Sequence, residues 1–232
     1  MKINGTDIRK YDAKQLTADV QPPSFSNSYE WLTSAVLPTE LETEVQMGHL
    51  KLSIYFKGKD RNNIIRAASE LMSNFTKACK MELDGYKGTY FGFITTDDYE
   101  KQNVKQRYIV NLEFDGFFVD DDISIVFDGK TSASLYKVGT RDTPCVVEIY
   151  AKSDLTNYTI TGLGEDDIII DSLEAGKTVV IDAKTGLVTI DGENAFDKVN
   201  IWMFPILKGK EIVLTFSDTK ACVTIRYTPM WI

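Results

Sequence analysis

Histidine occurs once in the 232 residues, as His49, and cysteine three times, as Cys79, Cys145 and Cys222. A Ser-His-Asp or Cys-His site would have to use that one imidazole. It sits in Gly48-His49-Leu50, at the start of an alternating stretch where an ordinary exposed or core histidine is the simpler reading. A tetrahedral zinc site needs paired ligand spacing, which one His and three scattered Cys, none in C-x-x-C, do not supply. An odd number of thiols leaves at least one unpaired in any internal scheme, so a reducing compartment is expected. Long apolar runs are missing as well. The first twenty residues alternate without a signal-peptide core, and nothing later approaches the roughly 20 apolar residues that span a bilayer. Synthesis in a cytoplasm follows as an expectation. Base is scarcer than acid, 26 Lys and Arg against 34 Asp and Glu, and the net charge of −8 disfavours adhesion to nucleic acid or to anionic lipid. Matches to N-x-S/T at Asn4, Asn74 and Asn157 matter only in a glycosylating route and are read as chance.

What is present is an ordinary globular composition, with 43% hydrophobic, 11% aromatic and 26% charged residues, long enough for one large domain or two small ones. Two are expected. Between Met47 and Lys57, Leu50, Leu52, Ile54 and Phe56 alternate with Lys51, Ser53, Tyr55 and Lys57, the pattern of a half-buried strand. Asp60 then offers an N-cap, and Ile64, Ile65, Ala68, Leu71, Met72, Phe75 and Cys79 recur at helical spacing, which predicts one amphipathic helix over about 61–81 with Cys79 on its buried side. Residues 82–127 read as further strands, clearest at Tyr108, Val110, Leu112 and Phe114, with a polar loop over 96–102. A polar stretch rich in turn residues from Asp128 to Pro144 places the domain boundary near 138, giving domains 1–138 and 139–232. Beyond it lie eight short β segments: Val146 to Tyr150, Tyr158 to Thr161, Ile168 to Ile170, Val179 to Ile181, Val188 to Ile190, Val199 to Trp202, Ile212 to Phe216 and Cys222 to Tyr227. Their close spacing suggests an antiparallel sandwich, with a hairpin at Asp182 to Gly186.

The remaining motifs carry little chemistry. Gly176-Lys177-Thr178 resembles the end of a phosphate loop, but Asp171 stands where G-x-x-x-x-G-K-S/T needs its first glycine, so a turn before the strand at Val179 is expected. Two acidic runs, Asp120-Asp121-Asp122 and Glu165-Asp166-Asp167, could serve a glycosidase or bind calcium, yet each adjoins a hydrophobic strand, where consecutive carboxylates cap or solubilise a loop. Trp202, in Ile201-Trp202-Met203-Phe204, could stack on a sugar, but its apolar neighbours predict core packing.

The order of the pieces nonetheless resembles a known family. The opening Ile3-Asn4-Gly5-Thr6-Asp7, the strand to Lys57 followed by Gly58-Lys59-Asp60-Arg61 and a single helix, and Asp191-Gly192-Glu193-Asn194 are similar to the distal tail proteins, the tail-tip hubs of phages with long non-contractile tails. So is Phe204-Pro205-Ile206-Leu207-Lys208-Gly209 leading to the closing Tyr227-Thr228-Pro229-Met230-Trp231-Ile232. That resemblance implies a mainly β protein with one long helix: an N-terminal sandwich-like domain that forms a hexameric ring, and a C-terminal β-sandwich like galectins or carbohydrate-binding modules. It implies a virion protein at the tail tip, assembled in the host cytoplasm. Its partners would be its own copies, the tail-tube protein, a tail-associated baseplate protein or fibre, and in some relatives receptor-binding proteins, with DNA passing through the lumen without specific binding. The family brings no catalytic, metal or cofactor-binding residues, so no enzyme activity and no cofactor are expected. A carbohydrate-binding module for attachment to a cell surface is the alternative, and a glycosidase using acid pairs the third reading.

Overall fold

The computed structural model describes residues 1–33, 36–100 and 107–232. They divide into two compact units, Met1–Val119 with Ile232, and Asp120–Trp231.

The first unit contains, in chain order, β1 (Lys2–Ile3), β2 (Thr6–Asp7), β3 (Ala13–Gln21), β4 (Phe25–Glu30), β5 (Thr39–Val45), β6 (Gly48–Lys57), α1 (Arg61–Met72), β7 (Cys79–Glu82), β8 (Thr89–Glu100) and β9 (Arg107–Val119). Its main sheet runs β2-β1-β7-β8-β9-β6-β3. The alternation read at 47–57 is realised in β6: Leu50, Leu52, Ile54 and Phe56 are buried and meet Val110, Leu112 and Phe114 of β9 on the same face. Helix α1 lays Ile64, Ala68 and Leu71 on that core. At about 1.5–3 kcal/mol for each fully buried aliphatic side chain, this face is the main stabilising term of the unit. One principal sheet with a helix, plus the separate ribbon β4-β5, thus stands where a sandwich-like N-terminal domain was expected.

The helix begins as expected, with the Asp60 carboxylate accepting from the Asn63 N–H at 2.9 Å. It ends at Met72, well short of 81. Asn74 donates to the Leu71 carbonyl at 2.9 Å and Ser73 to that of Glu70 at 2.7 Å, satisfying the last turn from outside it. Phe75 lies in a 3-10 turn and Cys79 opens β7, so Cys79 is buried in a strand and not on a helix. Strand β8 runs through most of the loop placed at 96–102, with a register shift at Ile94/Thr96; residues 101 and 102 lie outside the described ones.

Where β8 and β9 cross, Gly92 faces Gly116, and Gly116 faces Gly48 on the other side. The buried ring of Tyr90 lies against Gly92 and Gly116, and its hydroxyl donates to the Gly48 carbonyl at 3.1 Å. Burial, and secondarily Asp115, raises the Tyr90 phenol above its ordinary pKa.

The second unit contains β10 (Ile123–Asp128), β11 (Ser132–Tyr136), β12 (Thr143–Ala151), β13 (Leu155–Thr161), β14 (Ile168–Leu173), β15 (Thr178–Asp182), β16 (Leu187–Ile190), β17 (Glu193–Asn194), β18 (Val199–Asn200), β19 (Ile206–Leu207), β20 (Glu211–Phe216) and β21 (Ala221–Tyr227). One sheet runs β10-β21-β12-β15-β16-β17, the other β11-β20-β13-β14-β18. Val147, Ile149, Ile181 and Ile225 from the first and Tyr158, Ile160, Ile170 and Leu214 from the second join one buried cluster. Each of the eight β segments expected here carries a strand, and the Asp182 to Gly186 turn joins the paired β15 and β16, with Gly186 at φ +69°.

The division between the units falls at Val119/Asp120, not near 138. Strand β10 pairs along its length with β21, and β11 with β20, so both belong to the second unit's edges. Their polar composition is that of edge strands with one wet face, and it reads like a linker in the sequence. Among the described residues no helix is long and apolar enough to cross a membrane.

Candidate assembly surfaces

His49, Asp120, Asp122 and Glu165, among the groups singled out for chemistry, are engaged in local structure. His49 is partly exposed on β6; its Nδ1 lies 2.9 Å from Asp115 Oδ1 and its Nε2 3.6 Å from Glu113 Oε2 on β9. Lys51 adds a contact of 3.7 Å to Glu113, so the imidazole belongs to a cross-strand charge ladder whose partners are carboxylates, not a hydroxyl or thiol nucleophile. Asp120 accepts from the Trp231 indole N–H at 2.8 Å, and Asp122 accepts from the Thr228 hydroxyl, which itself receives Lys184 Nζ at 2.7 Å. The first acidic run therefore ties the start of the second unit to its closing residues. In the second run, Glu165 pairs with Lys208 at 3.0 Å, which raises the lysine pKa. Among the described residues no group of three or more His, Cys, Asp or Glu is placed to hold a metal ion.

Gly176-Lys177-Thr178 is a turn into β15, with Gly176 at φ +82° and Lys177 paired to Asp191 at 2.8 Å. The pair, together with the Thr178 N–H, holds the Asp191 carboxyl below its usual range. The N-x-S/T asparagines are structural: Asn4 accepts from the Lys80 N–H, Asn74 closes α1, and Asn157 adopts φ +50° in β13. Cys79 and Cys145 are buried, and desolvation lifts their thiols to about 11 and about 12.

Trp202 corrects the sequence reading. It is 87% exposed, because β18 ends at Asn200 and the chain turns: Ile201 and Phe204 pack against the core while Trp202 and Met203 face outward. Tyr227 is buried, its hydroxyl accepting from the Val138 N–H at 3.0 Å. Nearby in sequence, a cleft of about 360 Å³ is lined by Ser172, Lys177, Asp191, Asn194 and Lys198, polar groups of both signs.

One extended exposed surface, over the described residues of 22–47, has no signal in the sequence pattern. Pro22 and Pro23 end β3, and the ribbon β4-β5 then continues the same pairing register outward: Gln21 faces His49 in the sheet, and Phe25 faces Val45 beyond it. Every residue of β4 is exposed, and no third strand joins the ribbon among the described residues. Phe25, Tyr29, Trp31, Leu32, Leu37 and Leu41 all face solvent, Trp31 at 62%. Residues 22–47 hold Glu30, Glu40, Glu42 and Glu44 and no Lys, Arg or His. The alternation of a strand gives one face Ser26, Ser28, Glu42 and Glu44, and the other Phe25, Asn27, Thr43 and Val45. The ribbon therefore presents a charged, partly apolar surface to solvent.

Residues 138–231 match the family described as the C-terminal domain of the siphovirus-type tail component. Along its whole length the chain has the fold of the SPP1 Dit protein, with a TM-score of 0.75 at 12% identity, covering 99% of this chain and 98% of that one. The structure of that protein is described as a paradigm of the hub adsorption apparatus in phages that infect Gram-positive bacteria. Two structures of the phage P2 baseplate in its activated conformation are also similar. The calcium form has a TM-score of 0.51 at 8% identity, covering 96% of this chain and 92% of that one; the strontium form has 0.50 at 9%, covering 95% and 92%. No curated protein sequence matches the chain. The resemblance to distal tail proteins drawn from short motifs is thereby met, by family over the C-terminal residues and by fold over the whole chain.

Proposed function

We propose that the chain is a structural hub of a phage tail tip, in which six copies form a ring that joins the tail tube to the baseplate, fibre or receptor-binding proteins. The observation that carries this reading is the end-to-end likeness of fold to SPP1 Dit, which spans both units and nearly all of each chain. The protein is then a virion component assembled in the host cytoplasm, and it works by contact and not by turnover. Its net charge of −8 suits a lumen for DNA, because carboxylates repel phosphates and only basic side chains gain from counterion release. Light scattering on the full chain, alone and with the tail-tube protein, tests the reading. A species of six times the chain mass is expected; a monomer at every concentration, with and without the tube protein, overturns it.

A second reading rests on the C-terminal unit. A galectin-like domain that binds a sugar is favoured by the exposure of Trp202 and by the polar cleft at Lys177, Asp191 and Asn194. Glycan-array binding by the full chain, lost in Trp202→Ala or Lys177→Ala, is the expected result on that reading.

A further inference from the structure

We propose that the acidic ribbon β4-β5 docks on the basic surface around the N-terminus of α1 in a second copy of this chain, and that this pair of surfaces is the joint between neighbouring subunits. The proposal rests on the self-assembly reading above and names the surfaces that would carry it.

A two-stranded ribbon exposed on both faces is marginal in water, and it gains stability only by lying against something. What it offers is specific: four glutamates without a compensating base, flanked by large apolar side chains. The occupant must therefore be cationic with an apolar spot. The same unit carries such a surface. Over residues 57–66 the sequence places Lys57, Arg61 and Arg66 near the single carboxylate of Asp60, which serves as the N-cap, and the next acid on the helix is Glu70, one turn beyond Arg66. Arg61, Ile65 and Arg66 are exposed on the outer side of α1, and Ile65, 51% exposed, lies one turn from Arg61. No acidic residue occupies the first turn of α1, where the helix dipole would favour one. Asp60 supplies one negative charge to that pole as the N-cap, and Arg61 adds a positive charge beside it that local stability alone would not favour.

The two surfaces cannot meet within one chain. The ribbon leaves β6 at Gly48, while the basic residues follow Lys57 at the other end of the strand, about 30 Å away at 3.4 Å per residue. The ribbon itself continues outward for about 20 Å more. Complementary patches at opposite ends of one domain make a heterologous contact, the kind that builds a ring when its rotation closes. Glutamates facing arginines then set register and orientation, and the apolar side chains around Trp31 and Ile65 supply the buried area.

Charge reversal in the full chain tests the joint. Glu42→Lys with Glu44→Lys cancels the ribbon's net charge and makes its Ser26/Ser28 face basic, like the helix surface, whereas Arg61→Glu with Arg66→Glu turns the helix surface from net positive to net negative, like the ribbon. Each double variant alone should lose self-association by at least about tenfold, as read by light scattering, with circular dichroism unchanged. Mixed in equal amounts, they should assemble again, since each variant's ribbon meets the other's helix, and alternation closes any even-numbered ring. Assembly of either variant at the parent's concentration would place the joint elsewhere and leave the hub reading standing. Failure of the mixture to recover assembly, with both variants folded, would also overturn the pairing. A parent chain that never self-associates would overturn the joint and the ring together.

Discussion

Substituting Gly116 by alanine should break the N-terminal sheet, and the structure sets how severely. A Cβ at 116 would sit 2.1 Å from the Phe91 carbonyl oxygen, 2.7 Å from Gly92 Cα and 2.8 Å from the Tyr90 ring. Carbon atoms settle at about 3.5–4.0 Å, so strands β8 and β9 would have to part by more than an ångström. No rotamer relieves this, because two of the three contacts are backbone. Parting the strands loses one or two ladder hydrogen bonds at about 1 kcal/mol each and lifts the Tyr90 hydroxyl off Gly48 for a similar loss. With overpacking strain, the total is about 3 kcal/mol. Tyr90→Phe, which removes only the hydroxyl, should cost about 1 kcal/mol. Gly164→Ala meets nothing within 4 Å and should stay within about 0.5 kcal/mol of the parent. Urea unfolding followed by hydrogen exchange, read separately over 1–119 and 120–231, resolves the unit affected. For a slope of about 1.5 kcal/mol/M, Gly116→Ala should lower the N-terminal midpoint by about 2 M and leave the C-terminal one in place. A shift under about 0.5 M, or a Tyr90→Phe effect as large as that of Gly116→Ala, would refute the close-approach argument.

Other consequences are as direct. Residues 120–232 should fold alone, whereas 139–232 lacks β10 and β11 and the buried Phe127 and Leu135; it should aggregate through the bared edges of β21 and β20, and equal solubility and stability of the two fragments would count against the boundary at 119. The Asp7 carboxyl, held down to about 2 by the Arg9 guanidinium and backbone N–H, should titrate by NMR near that value and move up in Arg9→Ala. Because its folded pKa is depressed, its contribution is present above the ordinary carboxylate pKa and fades as pH falls from about 4 toward 2; a parent midpoint near 4 would exclude the pairing. In native protein a thiol reagent should modify the partly buried Cys222 first, with Cys79 and Cys145 reacting only on unfolding, and early modification of Cys145 would contradict its burial beside the Pro205 carbonyl.

The sequence made the central strands legible because both neighbours of β6 and β9 are strands, and their alternation reports one buried face without interference. It also marked where α1 starts, since Asp60 is followed at once by the periodic residues. The end of α1 was hidden: Phe75 and Cys79 continue a four-residue spacing that two other elements, a 3-10 turn and β7, happen to preserve. Gly129, Ser132 and Ser134 pulled the domain boundary downstream for a related reason. Edge strands are short and half polar, and nothing local separates them from a linker; only their pairing with β20 and β21, some ninety residues on, assigns them.

Surfaces for assembly are harder to read than a core, and the three tryptophans show why. Trp231 reaches Asp120 with its indole N–H and is tied into its unit, whereas Trp31 and Trp202 stand 62% and 87% exposed. Nothing in the residue types distinguishes them: Ile-Trp-Met-Phe reads as core, and Glu-Trp-Leu-Thr gives no period at all. Exposure is decided by where the strand ends, at Asn200 for one and at Glu30 for the other, and strand ends depend on partners far along the chain. An apolar side chain that folding leaves in water keeps its burial energy for association, so on the proposed hub reading Trp31 and Trp202 are positions to test for contact with a neighbour. The same holds for charge. The chain's excess of acid gives no direction by itself, yet four glutamates without a base fall on a two-stranded ribbon that no third strand joins among the described residues, and it is the fold that turns a bland composition into a directional surface.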